Sequence, residues 1–317
     1  MHILSKKNIL VTGGCGLIGS AVVELLLRNY DDTNVYVLSR REENVKKRFA
    51  GYIQNPHFHV LIGDVNDALV CDVTFHFIIN AASNANPSAY ASDPVGTFWT
   101  NINGTKNLLE YGKIHGCERF LYVSSGEVYG EGCGLWKEDD SGYVNTMTMR
   151  SCYPTSKRAS ETLCVAFAKQ FGLDIVVARP CHVYGGHFTA SDNRAYAQFI
   201  RKAKNGENII LKSKGEQQRS WLYVEDCANA ILTILTQGST CEAYNVADEN
   251  NCITIKEFAE TIAAFAGVNV VYELPDNTEK QGFTPIKTAT FSTKKIQTLG
   301  WKPQFNIKDA IREIINN

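Results

Sequence analysis

The chain has 317 residues, 44% of them hydrophobic and 21% charged, with 32 Lys and Arg against 33 Asp and Glu. That profile belongs to a globular protein and excludes fibrous and disordered classes, while a net charge of −1 leaves no general field to collect nucleic acid or an acidic membrane. The length suits one large domain or two intimate ones, and an anionic ligand must be met by a local site.

The N-terminal stretch MHILSKKNILVTGG runs directly into a strand pattern, with no charged leader and no long apolar region. No apolar run reaches the roughly 18 residues that would cross a bilayer, so a cytoplasmic protein that engages no membrane is expected. From residue 7 to about 180, short β-branched runs alternate with longer amphipathic segments, the pattern of βαβ units around a parallel sheet. The spacing predicts strands at Asn8 to Thr12, Val35 to Leu38, His59 to Ile62, Phe75 to Asn80, Phe120 to Ser124 and Ile175 to Ala178. It predicts helices at Leu17 to Asn29, Glu42 to Ala50, Pro94 to His115 and Tyr153 to Phe171. Runs such as FLYVSS and DIVVAR are continuously apolar, as strands covered on both faces are, which gives an α/β, doubly wound sheet.

After Arg179 and Pro180 the texture changes to polar, glycine-rich loops with helices near Ala195 to Asn205, Asp226 to Leu235 and Ile255 to Phe265. This reads as a smaller lobe laid over the strand ends, where open α/β sheets bind ligands. Ten cysteines are scattered with no Cys-x-x-Cys pair and no His–Cys cluster of metal spacing, so they read as reduced, small hydrophobes and no metal site is expected.

The segment NILVTGGCGLIGSAVVELLL puts a glycine-rich turn between a strand and a helix. Gly13 suits the tight turn, Gly16 lets the backbone approach a pyrophosphate, and Gly19 allows close packing of helix on strand. About twenty residues further on, an acid usually holds the ribose 2′-hydroxyl of NAD. Here stand Ser39, Arg40 and Arg41. Two guanidinium groups beside a hydroxyl suit a 2′-phosphate, so NADP(H) is favoured over NAD(H); the alternative is that the arginines simply open a solvated, charged helix.

Tyr153 and Lys157 are four apart on a predicted helix and share one face. An ammonium beside a phenol, together with an oxidised nicotinamide, lowers the phenol's pKa toward that of a general base. The FLYVSS strand ends at Ser124 and Ser125, where a hydroxyl could bond the same substrate oxygen.

At these residues the chain resembles the extended short-chain dehydrogenase/reductase family, the nucleotide-sugar epimerases and dehydratases, over nearly its whole length. TGGCGLIG is similar to that family's glycine motif, Asp64 in IGDV to its adenine contact, and SSGEVYG with Tyr153 and Lys157 to its active site. HVYGG and QQRSWLYVEDCANAI are similar to its sugar-nucleotide lobe. NAASNANPSAYASDPVGTFWTNINGT, RSCYPTSKRASETL and SDNRAYAQFIRKA resemble its UDP-glucuronate decarboxylases most.

The resemblance implies a Rossmann-type dinucleotide-binding domain over 1–178, to which about 220–247 returns, and a nucleotide-sugar-binding lobe over 179–317. It implies cofactor contacts at Gly13, Gly16, Leu17, Ile18, Gly19, Ser39, Arg40, Asp64, Val65, Ala81, Ala82, Asn101, Tyr153, Lys157, Pro180, His182 and Val183. Substrate contacts would come from Ser83, Asn84, His182, Arg194 and Arg219, the substrate being a nucleoside-diphosphate sugar. Tyr153 would act as base on the sugar 4-hydroxyl, Lys157 would bind the ribose and hold the phenol's pKa down, and Ser125 would orient the hydroxyl. Glu127 occupies the position of the glutamate that dehydratases and decarboxylases use in a second step. A homodimer through the helices at Pro94 to His115 and Tyr153 to Phe171 is also implied.

Three positions depart from the pattern. Residue 126 is glycine where dehydratases carry an acid or hydroxyl. A C-terminal arginine that serves the carboxylate in decarboxylases has no counterpart beyond Arg219 except Arg312, although Lys280 or Lys287 could stand in. His182 replaces the usual asparagine and either reads the substrate or is a satisfied cleft histidine. Tyr196, Trp221 and Tyr223 read as packing residues, not base-stacking platforms. The leading expectation is an NAD(P)-dependent enzyme that oxidises the sugar at carbon 4 and regenerates its cofactor. The alternatives are an NADPH-consuming reductase of 4-keto nucleotide sugars and a non-catalytic cofactor-binding sensor.

Overall fold

The computed structural model describes residues 2–132, 134–273 and 286–316. The strands of its first half form where β-branched and aromatic residues run nearly without a polar break. NILVT becomes β1 (Asn8–Thr12), NVYVLS β2 (Asn34–Ser39), FHVLI β3 (Phe58–Ile62), FIIN β4 (Phe77–Asn80) and RFLYV β5 (Arg119–Val123). After a two-residue β6 (Leu135–Trp136), IVVARP forms β7 (Ile175–Pro180) and HVY forms β8 (His182–Tyr184). The chain then makes β9 (Ile209–Leu211), β10 (Gln218–Tyr223), β11 (Glu242–Val246), β12 (Cys252–Thr254), β13 (Val270–Tyr272) and β14 (Thr288–Phe291).

Seven of these make one sheet in the order β11-β7-β5-β4-β1-β2-β3, every neighbouring pair parallel. The order reverses between β1 and β4, which opens a crevice at their carboxyl ends. Helices α1 (Leu17–Asn29) and α2 (Glu42–Arg48) belong to the first units, followed by α3 (Pro87–Ser92), α4 (Pro94–His115) and α5 (Cys152–Phe171). The α4 helix begins at a proline behind the Asp93 cap, whose carboxylate accepts the Gly96 N–H, and ends at left-handed Gly116. The two faces of the sheet bury separate apolar clusters, as a doubly wound sheet requires.

Helices α6 (Ala195–Lys204), α7 (Val224–Gln237) and α8 (Ile255–Ala266) follow. α7 packs on α1, and β11 closes the sheet beside β7. A second sheet, β12-β10-β14-β6 with β8 on β10, stands over the strand ends. Tyr196, Trp221 and Tyr223 are buried there as packing residues, with Trp221 stacked on Phe258 at 3.9 Å.

The element boundaries need small corrections. β4 starts at Phe77 while Phe75 packs ahead of it in the core, α2 stops at Arg48 before a 3-10 turn, and α5 begins at Cys152. The helix Pro87–Ser92, too short for a periodic signal, was not expected from the sequence. Cys133 and Lys280 lie outside the described residues.

Candidate active site

The glycine turn is built for close approach. Gly13 has φ +66°, and a Cβ there would run into the Ala81 carbonyl; one at Gly19 would run into the Gly13 carbonyl. The α1 N-terminus therefore opens, without side chains in the way, onto a cavity of about 580 Å³ that runs from Gly13, Gly16 and Ile18 past Ser39, Arg40 and Asp64 to Ser83, Asn84 and Arg194. Asn80, which the sequence reading passed over, fixes the opposite wall: its side-chain carbonyl accepts from Thr12 at 2.8 Å and from the Ala82 N–H at 3.3 Å. This uncluttered cradle fits a dinucleotide.

At the Ser39 end of the cavity, the Ser39 hydroxyl is occupied by the Arg41 backbone, donating to its carbonyl at 3.1 Å and accepting its N–H at 3.4 Å. Arg40 is largely exposed, and its guanidinium lies 4.0 Å from the Asp64 carboxylate. Val65 lines the same wall. Asn101 is buried behind the cavity, accepting from Ser83 at 2.8 Å and donating to Ser156 at 2.9 Å, so it ties the β4 loop to α5. Val183 is buried in β8 and Pro180 in β7.

Tyr153 and Lys157 share one face of α5, and both are buried. Lys157 donates to the Val123 carbonyl at 2.8 Å, with its ammonium 5.7 Å from the centre of the Tyr153 ring. Burial drags the Lys157 pKa down to about 7, weakly opposed by Glu161. Burial likewise pushes the Tyr153 phenol up to about 12, against a hydrogen bond from Ser125 that lowers it. The backbone end of β5 presents Ser125 to the phenol, and the Ser125 hydroxyl also accepts the Glu127 N–H at 3.2 Å. Tyr90, from α3, stacks on Tyr153 with centroids 4.9 Å apart at 25° and locks its ring from behind.

Glu127 meets a partner that the sequence reading missed. Arg150, in the turn before α5, donates to Glu127 Oε1 at 2.7 Å, while Glu127 Oε2 and Arg150 Nε are buried without partners. The only sequence signal was the RSCY stretch itself, since a lone arginine in a loop has no periodicity to betray it. Residue 126 is glycine for a packing reason: a Cβ there would stand 2.5 and 2.6 Å from ring atoms of Phe291. A side chain at that position would displace the Phe291 ring.

On the lobe side, Arg194 is clamped by Asp192, Nη2 to Oδ2 at 2.5 Å, and also donates to the Tyr196 hydroxyl. Arg219 is buried, and its guanidinium donates to the carbonyls of Gln218, Lys287 and Ile286, with burial lowering its pKa to about 10. Lys287 thus enters only through its backbone oxygen here. Among the described residues, no group of three or more His, Cys, Asp or Glu could hold a metal ion, and no helix is long and apolar enough to cross a membrane.

Residues 9–247 match the NAD dependent epimerase/dehydratase family. The chain belongs to that family. It is 31% identical to UDP-glucuronic acid decarboxylase 5 of Arabidopsis thaliana over 97% of this chain and 88% of the relative. It is 30% identical to UDP-glucuronic acid decarboxylase 1 of Danio rerio over 98% and 72% of the two chains. In three dimensions it resembles a dTDP-glucose 4,6-dehydratase from Streptomyces venezuelae solved with NAD bound, with a TM-score of 0.86, 25% identity, and 98% and 96% coverage. A UDP-glucuronic acid 4-epimerase from Bacillus cereus, solved with NAD and UDP-glucuronic acid, shares the fold at a TM-score of 0.83 with 21% identity over 98% and 99% of the chains. As a member of the epimerase/dehydratase family the protein is an NAD(P)-dependent enzyme that modifies sugar nucleotides.

Proposed function

We propose that this family member oxidises the sugar of a nucleoside diphosphate sugar at carbon 4 and then decarboxylates or otherwise rearranges the ketone, with UDP-glucuronate as its nearest substrate. The observation that supports this most is the Ser125–Tyr153–Lys157 group, its tyrosine and lysine buried and its serine bonded to the Tyr153 phenol and to the Glu127 N–H. Bound nicotinamide dinucleotide supplies the acceptor for the hydrogen leaving carbon 4. Tyr153 takes the proton of the 4-hydroxyl, Ser125 orients that hydroxyl, and Lys157 binds the ribose; the expectation that Lys157 holds the phenol's pKa down is not met, since burial raises the Tyr153 pKa and the groups that oppose it are Ser125, Arg194 and Arg150. A 4-ketone turns a uronic acid into a β-keto acid, which loses carbon dioxide without an acid to expel water. That route suits a site where Phe291 fills the space beside residue 126. Arg194 and Arg219 are the cations for the diphosphate, and Gly13, Gly16, Leu17, Ile18, Gly19, Asp64, Val65, Ala81 and Ala82 would hold the dinucleotide.

A second reading is an NADPH-consuming reductase of 4-keto nucleotide sugars, favoured by the exposed guanidinium of Arg40 at the ribose end of the cavity. We further infer a cytoplasmic homodimer through α4 and α5; Val95 and Trp99 of α4 and Met149 of the turn before α5 are exposed around an apolar groove. The test is to incubate the holoprotein with UDP-glucuronic acid and follow product mass and cofactor state. Loss of carbon dioxide with no net change in cofactor is expected, and Tyr153→Phe should abolish it while cofactor affinity stays intact. Stoichiometric oxidation of NADPH, or substantial turnover by Tyr153→Phe, would overturn the proposal.

A further inference from the structure

The backbone of Glu127 is fixed independently of its carboxylate. It lies on the 3-10 turn Gly126–Tyr129, where its N–H donates to the Ser125 hydroxyl at 3.2 Å. Arg158, the residue after Lys157 on α5, clamps the same turn by donating to the carbonyls of Val128 at 2.6 Å, Tyr129 at 3.1 Å and Gly142 at 2.9 Å. The turn thus keeps its place against the helix that carries Tyr153 and Lys157, while the side-chain torsions of the glutamate still choose where its carboxylate points.

Arg150 makes that choice, its Nη2 donating to Glu127 Oε1 at 2.7 Å. The grip has a single point, because Glu127 Oε2 and Arg150 Nε are both buried and have no partner. Further along α5 the molecule closes the same kind of pair completely: Arg179 meets Glu161 with Nε on Oε1 at 3.0 Å and Nη2 on Oε2 at 2.7 Å. That two-bond fork is the geometry of a pair that only ties structure together. A buried carboxylate oxygen without a partner is unfavourable, and the single contact to Arg150 leaves Oε2 in that state while fixing where it lies. The open oxygen belongs to the same site as the base, since Glu127 and Arg150 both act on the charge of the Tyr153 phenol. The 3-10 turn Met149–Ser151 that carries Arg150 also leads straight into α5, which begins at Cys152.

We propose that Arg150 is a positioning residue, which holds Glu127 by Oε1 so that Oε2 stays free to act in the step after oxidation. The inference rests on the nucleotide-sugar reading above and deepens it. The test compares turnover of UDP-glucuronic acid by the wild-type holoprotein, Arg150→Met, Arg150→Lys, Glu127→Gln and the double variant Arg150→Met/Glu127→Gln, with thermal melts to confirm folding. Arg150→Met should lower kcat about 100-fold, the effect of a misplaced catalytic group, with KM within about twofold of wild type. The fraction of nicotinamide found reduced during turnover should rise, because oxidation by way of Tyr153 continues while the following step lags. Arg150→Lys should recover about tenfold of the loss, since an ammonium can replace a single-point contact although not a fork. The double variant should be no slower than Glu127→Gln, there being no carboxylate left for Arg150 to hold. An unchanged kcat in Arg150→Met would make the arginine a packing residue, and a raised KM with kcat unchanged would make it a substrate contact. A double variant slower than Glu127→Gln by the full Arg150→Met factor would give it a role apart from Glu127; each of the three overturns the proposal. Wild-type protein that does not turn over UDP-glucuronic acid, or Glu127→Gln that matches wild type, would overturn the underlying reading of the site, and this inference with it.

Discussion

Lys157 carries a charge in a place that resists it, and replacing it with methionine should make the cofactor-free protein more stable. The folded pKa of about 7 lies well below the ordinary 10.5. Below the folded value the lysine is charged in both states and the full penalty of burial is present. Between the two values the folded protein releases the proton while the unfolded chain keeps it, so stability rises with pH; above 10.5 the penalty is gone. At about 1.36 kcal/mol per unit, the shift corresponds to about 5 kcal/mol. Methionine follows the same aliphatic path but removes the bond to the Val123 carbonyl, a loss of about 1–3 kcal/mol. Lys157→Met should therefore be more stable than wild type by about 3 kcal/mol near about pH 6.5, and that advantage should shrink by about 3 kcal/mol by about pH 9.5. Urea unfolding followed by tryptophan fluorescence across that range measures the difference, and terms that do not titrate cancel from its slope. A difference that stays flat with pH would refute the argument, because it would mean that the lysine is not charged and buried as described.

Two other perturbations test packing and cofactor choice. Gly126→Ala should lower stability by about 1–3 kcal/mol through overpacking against Phe291, and Phe291→Leu in the same chain should recover most of it; simply additive losses in thermal unfolding would refute the clash. Arg40→Ala should weaken NADP by about tenfold in a fluorescence titration and leave NAD unchanged, since only NADP carries the 2′-phosphate; equal effects on both would return Arg40 to the solvated start of α2.

Six of the seven strands of the main sheet were legible because they run nearly continuously apolar, and its helices because they are periodic; β11, whose EAYNV mixes polar and apolar residues, was not among the expected strands. Asn8–Thr12, Leu17–Asn29 and Pro94–His115 fall where the sequence puts them, residue for residue. The glycine turn, Ser125, Tyr153 and Lys157 were legible because each sits at a fixed offset from a strand or helix end. Arg150, Tyr90 and Asn80 were not, because each acts through a contact that only the folded chain creates: an ion pair to Glu127, a stack on Tyr153, and a bond to Thr12. Gly126 looked like a missing catalytic acid in the sequence. The structure supplies the other half of that observation, since Phe291 lies 165 positions downstream in a strand of the second sheet.

The seventh strand of the main sheet is made late. During synthesis β7 is complete at Pro180, but its neighbour β11 and the α7 helix that packs on α1 emerge only after residues 181–241 and 181–223, respectively, have followed. Until then the nascent chain carries an open parallel edge along Ile175–Pro180 and an uncovered face of α1, the kind of surface that chaperones hold and that stray strands pair with. A chain truncated after residue 180 would keep that edge permanently, so the part of the chain beyond it cannot be exchanged as a simple C-terminal cassette. Recombination between relatives would have to carry Val224–Val246 with the sheet it completes.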